Sequence, residues 1–81
     1  MNTKEYLGNT IKTRRKEAKV EQSMLTDYAD ISLWTLSRIE NGKANPSLEK
    51  LENILEVLGL ELVLRKKSDG SIIERIVDED R

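Results

Sequence analysis

The sequence predicts a small, mostly α-helical protein of four to five helices that ends in a short β-strand or hairpin. Apolar residues recur every three or four positions as far as residue 58, turn-forming residues separate these segments, and the period shortens to two after Gly59. A chain of 81 residues has room for one domain, and a chain this short gains stability from a second copy. We expect a helical domain over residues 1–59, a dimerisation segment over residues 60–77 and an acidic tail over residues 78–81.

The composition excludes several classes of function. The chain contains no Cys and no His, which removes disulfides, thiolate or imidazole metal sites and the common nucleophile–imidazole relays. We therefore expect no enzyme, no metal and no cofactor. No apolar run approaches the roughly 20 residues that cross a bilayer, and residues 1–5 are polar rather than signal-like, so we expect a cytoplasmic protein without membrane contact.

Charge is distributed unevenly along the chain. The net charge is −1, but residues 1–50 carry +2 and residues 51–81 carry −3. A local basic cluster matters more to a phosphate backbone than the overall charge does, although a solvated helix face gives the same pattern. The cluster consists of Lys12, Arg14, Arg15, Lys16 and Lys19.

The first predicted helix covers residues 4–18. Apolar side chains recur there at three- and four-residue spacing, which is the period of a helix with one buried face. The aliphatic stems of two arginines extend this face. Its residues are Leu7, Ile11, Arg14, Arg15 and Ala18.

A second, short helix is predicted over residues 22–29, with Leu25 and Ala29 on its buried side and Val20 packing just ahead of it. Asp30 breaks the pattern. Because Asp tolerates the left-handed backbone conformation better than most residues, a sharp turn is expected there.

A third helix is predicted to follow this turn and to run to about Asn41. Ser32 is a good N-cap for it, and Leu36 and Ile39 face inward. Glycine is favoured at the left-handed position after a helix, so Gly42 ends the third helix.

The fourth helix is predicted after the loop that contains Pro46, the only proline of the chain. Ser47 caps this helix and Gly59 closes it. Its apolar residues have the spacing of a buried stripe. They are Leu51, Ile54, Leu55 and Leu58.

The last part of the chain has the pattern of strands. Leucine alternates with other residues over 60–65, Ser-Asp-Gly at 68–70 indicates a turn, and residues 72–77 are rich in β-branched side chains. A hairpin is the simplest interpretation. A short helix capped by Ser71 with Glu74 is the alternative.

Two short helices joined by a tight turn form a helix-turn-helix arrangement, whose second helix fits the major groove of DNA. An exposed Trp34 normally has something to contact, and the alternative is that it packs under a loop or against a second copy. Arg38 can donate two hydrogen bonds to a guanine, or it is an ordinary surface arginine. The exposed side of the helix carries Leu33, Trp34, Thr35, Ser37 and Arg38.

Short motifs at fixed spacing point to a known family. They are Leu7-Gly8-x-x-Ile11, Arg14-Arg15-Lys16, Gln22, Leu25, Ala29, Ile31-Ser32, Leu36-Ser37-Arg38-Ile39-Glu40-Asn41-Gly42, Pro46-Ser47-Leu48, Leu51 and Leu58-Gly59. With them, residues 7–59 resemble the Cro/C1-type (XRE-like) helix-turn-helix repressors. The resemblance implies a lambda-repressor-like DNA-binding domain whose dimer binds a palindromic operator on double-stranded DNA and represses transcription.

The resemblance also implies roles for single residues. It implies base contacts from Leu33, Trp34 and Arg38. It implies contacts to the DNA backbone from Gln22, Ser32, Thr35, Ser37, Lys43, Arg14 and Arg15. It further implies an ion pair between Arg15 and Glu40 that ties the first helix to the end of the third.

The chain departs from the family pattern at several positions. Glu21 replaces the usual Thr or Ser, which makes a poorer cap and puts a negative charge near the DNA. Asp30 replaces the usual turn glycine. Leu33 and Trp34 occupy positions where the family often has polar side chains that contact bases, so contact with thymine methyl groups is expected instead.

Residues 58–64 resemble the junction in HipB-like antitoxins, where a C-terminal strand pairs with its copy in the other protomer. This resemblance implies a homodimer held by Leu60, Leu62, Val63 and Leu64, and an antitoxin that autoregulates its operon and neutralises a HipA-like kinase toxin. The acidic C-terminal region would then meet a basic toxin surface. The alternatives are a stand-alone or phage-type repressor without a toxin, and a protein-interaction module that has lost DNA binding.

Overall fold

The structure, a computed structural model, describes residues 1–76. These residues form four α-helices followed by an antiparallel two-stranded hairpin, as the mostly helical class predicts. The elements are α1 (Thr3–Glu17), α2 (Gln22–Ala29), α3 (Leu33–Glu40), α4 (Leu48–Val57), β1 (Leu62–Arg65) and β2 (Ile72–Ile76). The predicted acidic tail at 78–81 lies outside the described residues, and so does Val77.

Three of the four helices begin directly after a residue whose side chain caps the helix N-terminus. The predicted caps are confirmed, since Ser32 Oγ and Ser47 Oγ each accept the backbone N–H three residues on, at 3.0 and 3.2 Å. Asn2 caps α1 in the same way at 2.9 Å, so this helix begins one residue earlier than predicted. Glu21 precedes α2 without a side-chain cap, as its chemistry predicts.

Left-handed residues end the helices. Asp30 has φ 55°, and Gly42 and Gly59 have φ 72° and 70°, as predicted. Lys19 also has a positive φ, 57°, after α1, and the sequence pattern does not reveal it. Because α1 ends at Glu17 and the chain turns away here, Ala18 is exposed, and its predicted place on the buried face is wrong.

The core lies among the four helices. Eight apolar side chains from α1 to the end of α4 are almost fully removed from solvent, and partly buried leucines, valines and isoleucines surround them. The predicted core residues Leu36 and Ile39 of α3 belong to it. Its members are Ile11, Leu25, Ala29, Leu36, Ile39, Ile54, Leu55 and Leu58.

Gly8 allows α1 and α3 to approach each other closely. A Cβ atom at this position would overlap the carbonyl oxygen of Ile39, and it would lie 3.1 Å from that of Glu40. Both atoms belong to the backbone and cannot move aside as a flexible side chain can. The close approach brings the end of α3 against the first half of α1.

The hairpin confirms the predicted strands and changes one boundary. Leu62 pairs with Ile76 and Arg65 with Ile72, with one residue of β2, Ile73, displaced by a bulge. The first strand begins at Leu62 rather than Leu60. The reason is that Leu60 packs against the core and donates its backbone N–H to the last turn of α4.

The turn between the strands has its own hydrogen bonds, so the alternative of a helix capped by Ser71 is wrong. Lys66 N–H donates to the Ser71 carbonyl at 2.9 Å, and Gly70 N–H donates to the Lys66 carbonyl at 2.9 Å. The Asp69 carboxylate accepts from the hydroxyl and the backbone N–H of Ser71. These two hydrogen bonds hold the pKa of Asp69 below its ordinary value.

Within residues 1–76, no helix is both long and apolar enough to cross a membrane. The same part of the chain holds no cluster of three or more His, Cys, Asp or Glu side chains that could bind a metal ion.

Candidate nucleic-acid interface

The helix α3 has two sides of opposite character. Leu36 and Ile39 are buried in the core, whereas Leu33 is 56% and Trp34 70% exposed. The core side holds α3 against the other helices, and the opposite side is open to a partner. We call this side the exposed face of α3, and it consists of Leu33, Trp34, Thr35, Ser37 and Arg38.

A buried hydrogen-bonded network joins α1, α2 and α3. Arg15 Nε donates to Glu40 Oε2 at 2.7 Å, and Arg15 Nη2 donates to Glu40 Oε1 at 3.1 Å. Gln22 Nε2 donates to the same Oε1 at 3.1 Å, and Arg15 Nη1 donates to the Val20 carbonyl at 3.2 Å. The end of α3 is therefore tied to both α1 and the first residue of α2, which fixes the angle at which α3 is presented.

This network gives Arg15 a structural role. All three of its guanidinium nitrogens donate within the protein and the residue is buried. Gln22 is half-buried at the start of α2, where its amide also holds Glu40. The resemblance indicated the pair of Arg15 and Glu40, but not the bond from Gln22.

Arg14 is bound at the C-terminal end of α4. Its Nε donates to the Leu58 carbonyl at 2.9 Å, and its Nη1 lies 3.8 Å from Glu17. A cation at the C-terminal end of α4 interacts favourably with the helix dipole. The structure thus brings Arg14 to the end of α4 rather than to the exposed face of α3.

Arg38 is held between the exposed face of α3 and the loop that follows it. Its guanidinium carbon lies 4.9 Å from the centre of the Trp34 ring, and its Nη2 donates to the Lys43 carbonyl at 3.0 Å. The exposure of Trp34 shows that the alternative of burial under a loop of the same chain is wrong. Sequence spacing alone could have indicated the pair, because residues four apart in a helix are neighbours.

Polar groups lie on the exposed face of α3 and at both of its ends. Ser32 Oγ, besides capping α3, donates to Thr35 Oγ1 at 2.9 Å. Thr35 and Ser37 are half-buried, and Lys43 is exposed beyond the end of the helix. Hydroxyl and ammonium groups at both ends of an exposed helix have the chemistry that binds phosphate oxygens.

Two short helices joined by a left-handed residue, with the second helix open on one side, define a helix-turn-helix protein. The family model described as helix-turn-helix matches residues 11–64. The chain belongs to this family, which confirms the expected Cro/C1-type class and agrees with the expectation of a non-enzymatic protein.

Individual relatives extend this comparison. The chain is 39% identical over 56 residues to the "Immunity repressor protein" of Bacillus phage phi105, a match that covers 69% of the chain and 39% of that protein. It is 34% identical over 68 residues to the "ImmF control region 10 kDa protein" of the same phage, covering 84% of the chain and 76% of that protein.

A solved structure is also similar. The clp gene regulator ClgR from Corynebacterium glutamicum matches with a TM-score of 0.71 and 27% identity, over 74% of this chain and 64% of that one. The chain thus spans less than two thirds of the immunity repressor and of ClgR. These relatives do not support the resemblance of residues 58–64 to HipB-like antitoxins.

Proposed function

We propose that the protein is a sequence-specific DNA-binding transcriptional repressor. The exposed face of α3 carries this proposal, because Leu33 and Trp34 are open to solvent on a helix whose other side is locked into the core. Membership of the helix-turn-helix family supports it. So do the names of two relatives, an immunity repressor and a gene regulator.

In this proposal the two kinds of contact come from different parts of the motif. Leu33, Trp34 and Arg38 read base edges in the major groove. The residues proposed for backbone contacts are Gln22, Ser32, Thr35, Ser37 and Lys43. Arg14 and Arg15 are further proposals for backbone contacts, through guanidinium N–H groups that their hydrogen bonds within the protein leave over.

A homodimer completes the proposal. Leu64 and Ile73 of the hairpin are 55% and 61% exposed, and Ile72 is exposed beside them. A lone hairpin that leaves apolar side chains in water gains stability when a second copy covers them. Leu60, Leu62 and Val63, expected in the interface, are half-buried, so Leu64 with the two isoleucines carries most of the contact. Two copies would place their α3 helices about 34 Å apart, one turn of DNA.

The first experiment measures DNA binding by fluorescence anisotropy. The wild type is titrated against a duplex from upstream of its own gene at two salt concentrations, and Arg38→Ala is compared with Lys67→Ala. Both variants lose one positive charge, but Lys67 lies in the hairpin turn. We expect Arg38→Ala to lose about 1–3 kcal/mol of binding free energy and Lys67→Ala to lose far less.

The salt dependence of binding distinguishes a DNA-binding repressor from a protein-interaction module. Binding that weakens steeply with salt indicates contacts to phosphates. Absence of binding to the upstream duplex and to a random pool would instead favour a protein-interaction module that keeps the helix-turn-helix scaffold.

The dimer is tested by light scattering after size exclusion. Leu64→Glu places a charge on the exposed apolar side of the hairpin, whereas Lys67→Glu places one in its turn. We expect the first variant alone to run as a monomer. A monomeric wild type at high micromolar concentration would refute the dimer.

Two finer roles fit a repressor. The phage relatives favour a phage-type or stand-alone regulator. The role of antitoxin for a HipA-like kinase toxin rests on the resemblance of residues 58–64, and a complex with the product of a neighbouring gene on co-expression would establish it. Either role is exerted where the DNA is, in the cytoplasm.

A further inference from the structure

We propose that Trp34 is a positioning and specificity-determining residue. Through it, the protein recognises a guanine and a neighbouring thymine together. One face of the indole ring holds Arg38 toward the guanine. The exposed remainder of the ring, together with Leu33, packs on the thymine methyl group. This inference rests on the proposed function and deepens it by naming two adjacent bases in each half-site.

The first step concerns how Arg38 is held. Side chains four apart on a helix are neighbours, and the later one leans back over the earlier one. The 4.9 Å between the guanidinium carbon and the ring centre lies within the roughly 6 Å range of cation–π attraction. The bond from Nη2 to the Lys43 carbonyl fixes the group from a second direction. Arg38 is therefore largely ordered before it meets DNA.

An ordered guanidinium still has donors for a base. The group carries five N–H donors, and the bond to Lys43 uses one of them. A bidentate contact to guanine O6 and N7 needs two. Because the side chain is already restrained, less conformational entropy is lost when this contact forms.

The second step concerns the part of the ring that Arg38 does not cover. Trp34 remains 70% exposed and the adjacent Leu33 is 56% exposed, so these two side chains present apolar surface on the exposed face of α3. The apolar group that base edges offer in the major groove is the thymine methyl. Contact with this surface therefore selects thymine at the position that faces Trp34.

The third step places the two bases side by side. The ring centre and the guanidinium carbon are 4.9 Å apart, whereas successive bases on one strand are stacked about 3.4 Å apart. The separation amounts to about 1.4 base steps, less than the distance between bases two steps apart. The Trp34 ring and the Arg38 guanidinium, which are in contact on the protein, thus contact neighbouring base pairs.

The test begins with selection of bound duplexes from a random pool by the full chain. Affinities are then measured for Trp34→Ala, Trp34→Phe, Arg38→Ala and the double variant of Trp34→Ala and Arg38→Ala. Each is titrated against the selected duplex and against a copy in which deoxyuridine replaces the thymine and removes only its methyl group. Tyr28→Ala, which removes an exposed aromatic ring from α2, is the matched control.

We expect selected half-sites with thymine next to guanine. Trp34→Ala should weaken binding about tenfold and relax the preference for guanine, whereas Trp34→Phe, which keeps a ring under Arg38, restores that preference. The double variant should bind about fourfold worse than Arg38→Ala alone, because only the methyl contact is additionally lost, rather than the full tenfold of the single Trp34→Ala change. Loss of the methyl group should weaken the wild type about fourfold and weaken Trp34→Ala, which keeps only Leu33 at this contact, by less.

Two results would overturn the inference alone. One is a double variant whose fold-loss of affinity equals the product of the fold-losses of the two single variants. The other is a wild type whose affinity does not change when the methyl group is missing. A pool in which no sequence is enriched would refute the proposed function and this inference with it. Circular dichroism of each variant verifies that the helices are intact.

Discussion

The helical part and the C-terminal hairpin use similar apolar side chains in opposite ways. The core leucines and isoleucines of the helices, such as Ile11 and Leu36, are fully buried, whereas Leu64, Ile72 and Ile73 of the hairpin remain about half exposed or more. Three helices also share a buried network around Glu40, while the hairpin is held mainly by the pairing of its own strands. The helical part is thus stabilised by a shared buried core, and the hairpin leaves much of its apolar surface in contact with solvent.

The largest expected effect comes from breaking the network that distinguishes the helical part. Glu40→Ala leaves the buried guanidinium of Arg15 without its carboxylate and Gln22 without its acceptor. An uncompensated buried charge of this kind costs about 3–5 kcal/mol. Urea-induced unfolding followed by far-UV circular dichroism measures the loss.

The matched control is Glu49→Ala, because Glu49 is an exposed glutamate in the first turn of α4. We expect it to change the free energy of unfolding by less than about 0.5 kcal/mol. Equal losses in the two variants would contradict a special role for the buried network.

Gly8→Ala is expected to have the next largest effect. The added methyl group overlaps the Ile39 carbonyl, so α1 and α3 must move apart at a cost of about 1–3 kcal/mol. The same unfolding assay measures it, with Asn9→Ala on the exposed side of α1 as the control. A stability gain, as helix propensity alone would give, would show that the contact is not restrictive.

Glu21→Ser addresses a weak point within the helical part. Glu21 makes no side-chain cap for α2, whereas Ser32 and Ser47 cap their helices. A serine in its place should raise the free energy of unfolding by about 0.5–1 kcal/mol. If thermal and urea unfolding were unchanged, the geometry before α2 would not permit a cap.

Leu64→Ser should have the smallest effect on a single copy. At a protein concentration that keeps the wild type monomeric, we expect a change below about 0.5 kcal/mol, because Leu64 is already exposed. At higher concentration only the wild type should gain stability by mass action. Leu58→Ala, at a buried leucine of the helical part, should cost about 2–5 kcal/mol at every concentration.

The exposed face of α3 could largely be predicted from the sequence, and its surroundings could not. Periodicity places Leu36 inward and Trp34 outward, and the structure agrees. The spacing of four residues allows Trp34 and Arg38 to meet, but neither periodicity nor resemblance indicated the hydrogen bond from Arg38 to the loop after α3. A periodic pattern indicates which side of a helix faces solvent, but it does not describe how long side chains are held there.

Features that depend on interactions within a few residues follow directly from the sequence. The caps at Ser32 and Ser47, the left-handed turn at Asp30 and the end of α3 at Gly42 all belong to this group. Their energetics depend on side chains and backbone groups three or four positions apart, which a sequence displays directly.

Contacts between groups that are distant in the sequence follow from the packing of the helices. Arg14 binds the carbonyl of Leu58, 44 residues away, and Gln22 binds Glu40, 18 residues away. These partners depend on how the helices pack, and Gly8 sets part of that packing by admitting α3 close to α1. Arg14 therefore binds the end of α4 and Arg15 binds α3, because the two side chains point to different sides of α1 once the helices have assembled.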